Sequence, residues 1–112
     1  RLPKPLALFS GNSSRLSAQQ IASGRLTGSF NNERLDNGLK LNVAEFKVRV
    51  GLRNLGVVRN TGGSFNDRIK QQILRARRGE TVTVYDIKVN SAKIDNGTRF
   101  LTPQNDIVLT VR

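Results

Sequence analysis

Apolar residues recur at every second position along two long stretches of the chain, and each stretch loses step once. In Leu39–Val50, "LKLNVAEFKVRV", Leu39, Leu41 and Val43 point one way, while Phe46, Val48 and Val50 continue the alternation shifted by one residue. Side chains on a strand alternate with a period of two, so the shift needs an extra residue. The pattern predicts a β-bulge near Ala44 and Glu45. Lys40, Lys47 and Arg49 then fall on the opposite, wet face. Thr81–Val89 behaves in the same way: Val82 and Val84, then Ile87 and Val89, with the slip at Tyr85 and Asp86. The closing "DIVLTVR" turns Ile107, Leu109 and Val111 toward a core.

Two segments follow a helical period instead. In "LSAQQIASG", Ser17 is placed to cap the amide of Gln20 while Gln20 reaches back, and Leu16 to staple onto Ile21. Gly24 is the expected C′ residue of a short helix at about 18–23. Farther on, Phe65, Ile69, Ile73 and Ala76 fall within one quadrant at roughly 100° per residue. They predict an amphipathic helix over about 65–78, started by Ser64 and Asp67 in a capping-box-like arrangement and stopped by Gly79. Leu74 sits among polar positions.

The intervening chain reads as short strands and turns. "RLPKPLALF" starts extended, because Pro3 and Pro5 exclude a helix, and forms an entry arm or edge strand. "SGNSS" is a loop, Arg25–Asn31 a short strand, and Leu35–Gly38 a hairpin turn on its Asn-Gly pair. Gly56–Arg59 is a further short strand. Asp95-Asn96-Gly97 repeats the tripeptide at Asp36–Gly38 and suggests a second hairpin, with Pro103 ending a strand around Arg99–Leu101. The elements add up to one domain over 1–112, of α+β class and mainly β. The expected architecture is a β-sandwich-like arrangement of short antiparallel strands with one amphipathic and one short helix.

Composition narrows the chemistry. With 19 basic residues against 8 acidic, the formal charge is +11, which points to an acidic protein, nucleic acid or anionic surface as partner. Cys and His are both absent. That removes disulfides, thiolate nucleophiles, Cys-based zinc sites and the usual general base near neutral pH. No motif of a nucleophile elbow, P-loop or dinucleotide fold occurs, and the carboxylates form no D-x-D or E-x-x-E pair. The chain reads as non-enzymatic, with no cofactor and no metal. No apolar run is long enough to span a bilayer, and there is no signal peptide. The first residue is Arg1 and not Met, as in a processed chain or a piece of a longer one.

Five cations crowd the segment Arg68–Arg78. On the predicted helix Arg68, Arg75 and Arg78 share one flank and Lys70 and Arg77 the other. Positive charge at Arg75, Arg77 and Arg78 would complement the helix macrodipole, worth about 0.3–1 kcal/mol each. A solvated face with a dipole-matched end therefore accounts for much of the cluster. An anion-binding flank of Arg68, Arg75 and Arg78 is the functional alternative and the candidate partner-binding site. Gly62-Gly63 before the helix could hold an anion on free amides, but the loop carries no Lys and a plain helix-entry turn explains it. RNA readers stack bases on exposed aromatics. Here Phe46 and Phe65 have core positions, leaving Tyr85, Phe30 and Phe100 to be presented. A nonspecific phosphate-binding domain is the competing class.

The order of "LPKPLALFSG", "SAQQIASGRL", the long strand, "SFNDRIKQQILRARRGETVTVYDIKV" and "DIVLTVR" resembles the C-terminal domain of the GldM/PorM family over essentially the whole chain, the PorM branch more closely. The most specific part is the Phe-started helix ending in a basic cluster and Gly79, then a strand leading to Asp86-Ile87-Lys88. "NSAKIDNGTRFLTPQN" departs from the short Gly-rich turn of family members, so a partner contact made there is not carried over. The resemblance implies the outermost periplasmic domain of a shaft in the type IX secretion system, homodimeric in the parent protein. An N-terminal membrane helix outside this sequence would dock on PorL/GldL to form a proton-driven inner-membrane motor. This domain would meet the PorK/PorN ring at the outer membrane. It implies no catalytic residue, no nucleic acid and no membrane insertion by this segment.

Overall fold

The computed structural model describes residues 3–10, 13–59 and 61–112. Arg1 and Leu2 of the expected arm, Gly11 and Asn12 of the expected loop, and Asn60 lie outside them. Among the described residues the order is β1 (Leu6–Phe9), β2 (Arg15–Leu16), α1 (Ala18–Ala22), β3 (Leu26–Ser29), α2 (Glu33–Leu39), β4 (Asn42–Val50), β5 (Arg53–Arg59), α3 (Asp67–Leu74), β6 (Thr81–Asn90) and β7 (Ile107–Val111). Five strands form one sheet in the order β2-β7-β6-β4-β5, and β1 pairs with β3 in a second. Pairing is antiparallel except for β2 beside β7, which is parallel. The class is α+β and mainly β, as the pattern predicts.

The large sheet buries one face. Val43, Phe46, Val48 and Val50 of β4, Val82, Val84, Ile87 and Val89 of β6, and Ile107, Leu109 and Val111 of β7 are all buried. They meet Ile21 and Ala22 of α1, Leu26 of β3, and Ile69 and Ile73 of α3 in one aliphatic core. Phe46 packs edge-to-face on Phe65 at 5.8 Å, which adds to area burial. The small sheet stacks on the large one where Gly28 of β3 makes room: a Cβ there would lie 3.1 Å from Val89 Cγ1. A sheet covered on one side alternates apolar and polar positions, and this alternation made the strands readable.

Both parity slips are bulges, and they face each other. Val43 is opposite Val89 but Glu45 is opposite Lys88, so β4 carries the extra residue Ala44. Glu45 opposite Lys88 and Lys47 opposite Tyr85 then put one extra residue on β6, where Asp86 adopts φ 50°. The two insertions cancel: Asn42–Asn90 and Val48–Val84 share one register. Two central strands therefore bulge together without shifting either core face. A third slip, between Val48 and Arg49, leaves Leu55 as the extra residue of edge strand β5.

Several expectations need correction. Leu35–Gly38 is no hairpin turn: Asn37 and Gly38 lie inside α2, which Asn32 caps through the Leu35 amide and Lys40 closes at φ 51°. The Asp36 carboxylate anchors that helix, accepting from the Phe30 amide and the Ser29 hydroxyl, both at 2.7 Å. The long helix is also shorter than predicted. Asn66, not Ser64, caps it through the Ile69 amide, and Arg75 is its C-cap. Gly79 instead turns the chain into β6 at φ 89°, its amide donating to the Val111 carbonyl at 2.7 Å. For α1 the Ser17–Gln20 capping box is present and Ser23 is the C-cap, which puts Gly24 at C′ as expected, though without a positive φ. Gly24 is needed for another reason: a Cβ there would meet the Phe9 ring at 2.1 Å. Strand β5 begins at Arg53, earlier than expected. The Asp95–Gly97 segment is a 3-10 turn, and the expected strand at Arg99–Leu101 reduces to one bridge of Leu101 to Val89.

Candidate partner-binding surface

Arg68, Arg75 and Arg78 do not form one flank. Because α3 stops at Leu74, Arg75 sits at its cap and Arg78 lies beyond it, in the turn to β6; no basic residue occupies the last helical turn. The macrodipole account therefore holds for Arg75 at the cap and weakens for Arg77 and Arg78, which lie beyond it. Arg68 turns toward β5, where its guanidinium donates to the Leu55 carbonyl at 2.5 Å, at the bulge of that edge strand. Satisfying an edge carbonyl blunts the strand against pairing with other chains. Arg78 lies at the other side of the sheet, in a cleft with Arg15 of β2 and Arg112 after β7. Four strand spacings, about 19 Å, separate β2 from β5. Arg75 is exposed.

The surface that gathers charge is the uncovered face of the large sheet. Lys47 and Arg49 of β4 occupy it, as their alternation predicts, with Tyr85 of β6 and Asn54, Val57 and Arg59 of β5 in register beside them. Much of this half is internally matched. Lys47 Nζ lies 3.0 Å from the Asp86 carboxylate, and Arg59 is 3.9 Å from Glu45. The hydrogen bond and charge of Asp86 raise the Lys47 pKa, and the same contact with Lys47 holds Asp86 below the usual carboxylate range. Arg49 lies over the Tyr85 ring at 5.5 Å, and the Tyr85 hydroxyl donates to Asn54. Among the described residues these two are the ion pairs, so the arginines at the β2–β7 end have no carboxylate partner there.

The aromatics expected to be presented are mostly occupied. Phe30 is buried at 6% exposure. Tyr85 is held by Arg49 and Asn54, and Phe100 alone of the three stands half-exposed. Gly62-Gly63 serves the fold: Gly63 lies against the backbone of Leu26 and accepts its amide at 2.9 Å. Arg15 and Arg112 escape sequence reasoning because only the parallel β2–β7 pairing brings the two ends of the chain together. No helix among the described residues is long and apolar enough to cross a membrane.

The family model described as "GldM C-terminal domain" matches residues 3–108. A search of curated proteins returns no match. The matched span takes in every strand and helix of both sheets except the last residues of β7. The chain thus belongs to the GldM family, as its C-terminal domain.

Proposed function

We propose that this chain is a non-catalytic docking domain of a PorM/GldM-like periplasmic shaft, which links a proton-driven motor in the inner membrane to the outer-membrane ring of the type IX secretion system. The family match over 3–108 carries this reading, since the GldM family belongs to the gliding-motility and type IX secretion machinery. The parent protein is a homodimer on this view, anchored by an N-terminal membrane helix that engages a PorL/GldL-like protein. The domain itself meets a PorK/PorN-like ring. Its construction suits a mechanical part: the two central strands are locked by opposed bulges, and one core joins both sheets and two helices. A charge of +11 accelerates encounter with an acidic partner more than it deepens affinity.

Calorimetric titration of the purified chain with the ring proteins of the same organism tests this. Binding with a Kd below about 100 μM is the expected result. No heat with the ring proteins, together with tight and steeply salt-dependent binding of duplex DNA, would replace it with the phosphate-binding class.

A further inference from the structure

We infer that the cleft between Arg15, Arg78 and Arg112 is a carboxylate-binding site for an acidic peptide segment of a protein partner; this rests on reading the chain as a docking domain. The cleft has a volume of about 510 Å³ and is completed by Gly79, Thr110 and Val111. Its three cations come from three parts of the chain whose backbones are tied together. The Arg112 amide donates to the Leu16 carbonyl at 3.0 Å, the Thr110 amide to Ser14 at 2.7 Å, and the Gly79 amide to Val111 at 2.7 Å. Arg15 is the register partner of Thr110, and it alternates with buried Leu16 as Arg112 does with buried Val111. Arg15 therefore rises from the uncovered sheet face, while Arg112, one residue beyond β7, stands at the end of the sheet. The Arg112 guanidinium is steadied by the Gln20 side chain at 3.3 Å.

Fold stability does not explain this grouping. None of the three lies in a helix, so no macrodipole favours them, and like charges brought together repel. The acid nearest in sequence is turned away: Glu80 Oε1 accepts the Arg77 amide at 2.7 Å, and Oε2 lies beside Gly51. A carboxylate supplied from outside answers the unmatched charge, and guanidinium forks bind carboxylates in a bidentate manner. Phosphate of a nucleic acid is the poorer match. No aromatic residue lines the cleft for a base to stack on, and Tyr85 is already engaged. Toward β6 the sheet face continues into Thr81 and Thr83, which separate the cleft from Arg49 and from the ion-paired Lys47 of β4.

The probe is a fluorescein-labelled peptide of glutamates, titrated by anisotropy at physiological salt against the 112-residue chain. Three forms are compared: the natural chain, the triple variant Arg15→Gln/Arg78→Gln/Arg112→Gln, and the equally charged control Arg34→Gln/Arg75→Gln/Arg99→Gln. The cleft triple should bind about tenfold or more weakly and the control by less than about twofold. Thermal unfolding of all three checks that the fold is kept, and the single variant Arg78→Glu repeats the test with one exposed change. Equal weakening by both triples would reduce the effect to net charge and overturn the site. So would an unaffected cleft triple, or single-stranded DNA binding the cleft more tightly than the peptide. A parallel titration with the ring proteins separates the two readings. Binding by the natural chain that survives the cleft triple sinks the cleft alone, whereas no ring binding beside intact peptide capture sinks only the shaft assignment.

Discussion

Replacing Gly63 with alanine places a methyl group where the chain already runs. Gly63 has φ 102°, and a Cβ there would lie 2.1 Å from the Leu26 carbonyl oxygen and 3.0 Å from its carbon. Holding an L-residue at such an angle costs about 1–3 kcal/mol. The clash is with backbone, so no side-chain rotation relieves it. The loop must withdraw and break the 2.9 Å bond from the Leu26 amide to Gly63. Leu26 is 1% exposed, so its amide loses its partner away from water, a further cost of about 1–3 kcal/mol. The expected loss is about 4 kcal/mol, a large part of the about 5–15 kcal/mol that stabilises a domain of this size. Two other glycines calibrate it. Gly62→Ala meets only the Arg25 guanidinium at 3.4 Å, at φ 67°, and should cost about 1 kcal/mol. Gly38→Ala lies inside α2 with nothing within 4 Å and should stabilise by about 0.5–1 kcal/mol. Urea unfolding followed by circular dichroism, with unchanged m values, measures all three. A Gly63→Ala protein within about 1 kcal/mol of the natural one would refute the close-approach reasoning.

Other consequences are equally open to measurement. Asp86 is depressed by Lys47, so its contribution to stability is present above the ordinary carboxylate pKa and lost as pH falls through the lowered folded value. Lys47 is raised, so its share is present below the ordinary lysine pKa and lost as pH rises through the higher folded value. Carbon-detected NMR titration should find the Asp86 midpoint returning toward the ordinary range in Lys47→Gln; an unmoved midpoint would dismiss the pair. Arg68→Ala should lower stability by about 1 kcal/mol by freeing the Leu55 carbonyl, whereas Arg99→Ala, at an exposed loop position, should not; denaturation midpoints decide between them. Phe46→Ala removes a 1%-exposed ring packed on Phe65 and should cost about 3–5 kcal/mol in the same assay.

What the sequence discloses depends on how strongly one face is buried. The opposed bulges were legible because Val43 and Phe46, and Val84 and Ile87, must all reach one core. The α2 helix was not, because it contributes no buried residue and is held by Asn32 and Asp36, while its Asn-Gly pair imitates a turn. The end of α3 was misjudged for a related reason: half-exposed Leu74 marks where the apolar stripe fails, yet the cations beyond it look helical. The family was legible from the order of short motifs across the chain, and the match over 3–108 bears it out. The cationic cleft was hidden, since Arg15, Arg78 and Arg112 meet only through the β2–β7 pairing and the Gly79 turn.

Amide chemical-shift mapping of the labelled chain against the outer-membrane ring proteins asks most directly whether this domain docks through its uncovered, cationic sheet face. The predicted perturbations cluster at Arg15, Arg78, Gly79, Thr81, Thr110 and Arg112. Perturbations confined to α2 and the Asp95–Gly97 turn, or a spectrum unchanged at saturating partner, would contradict it.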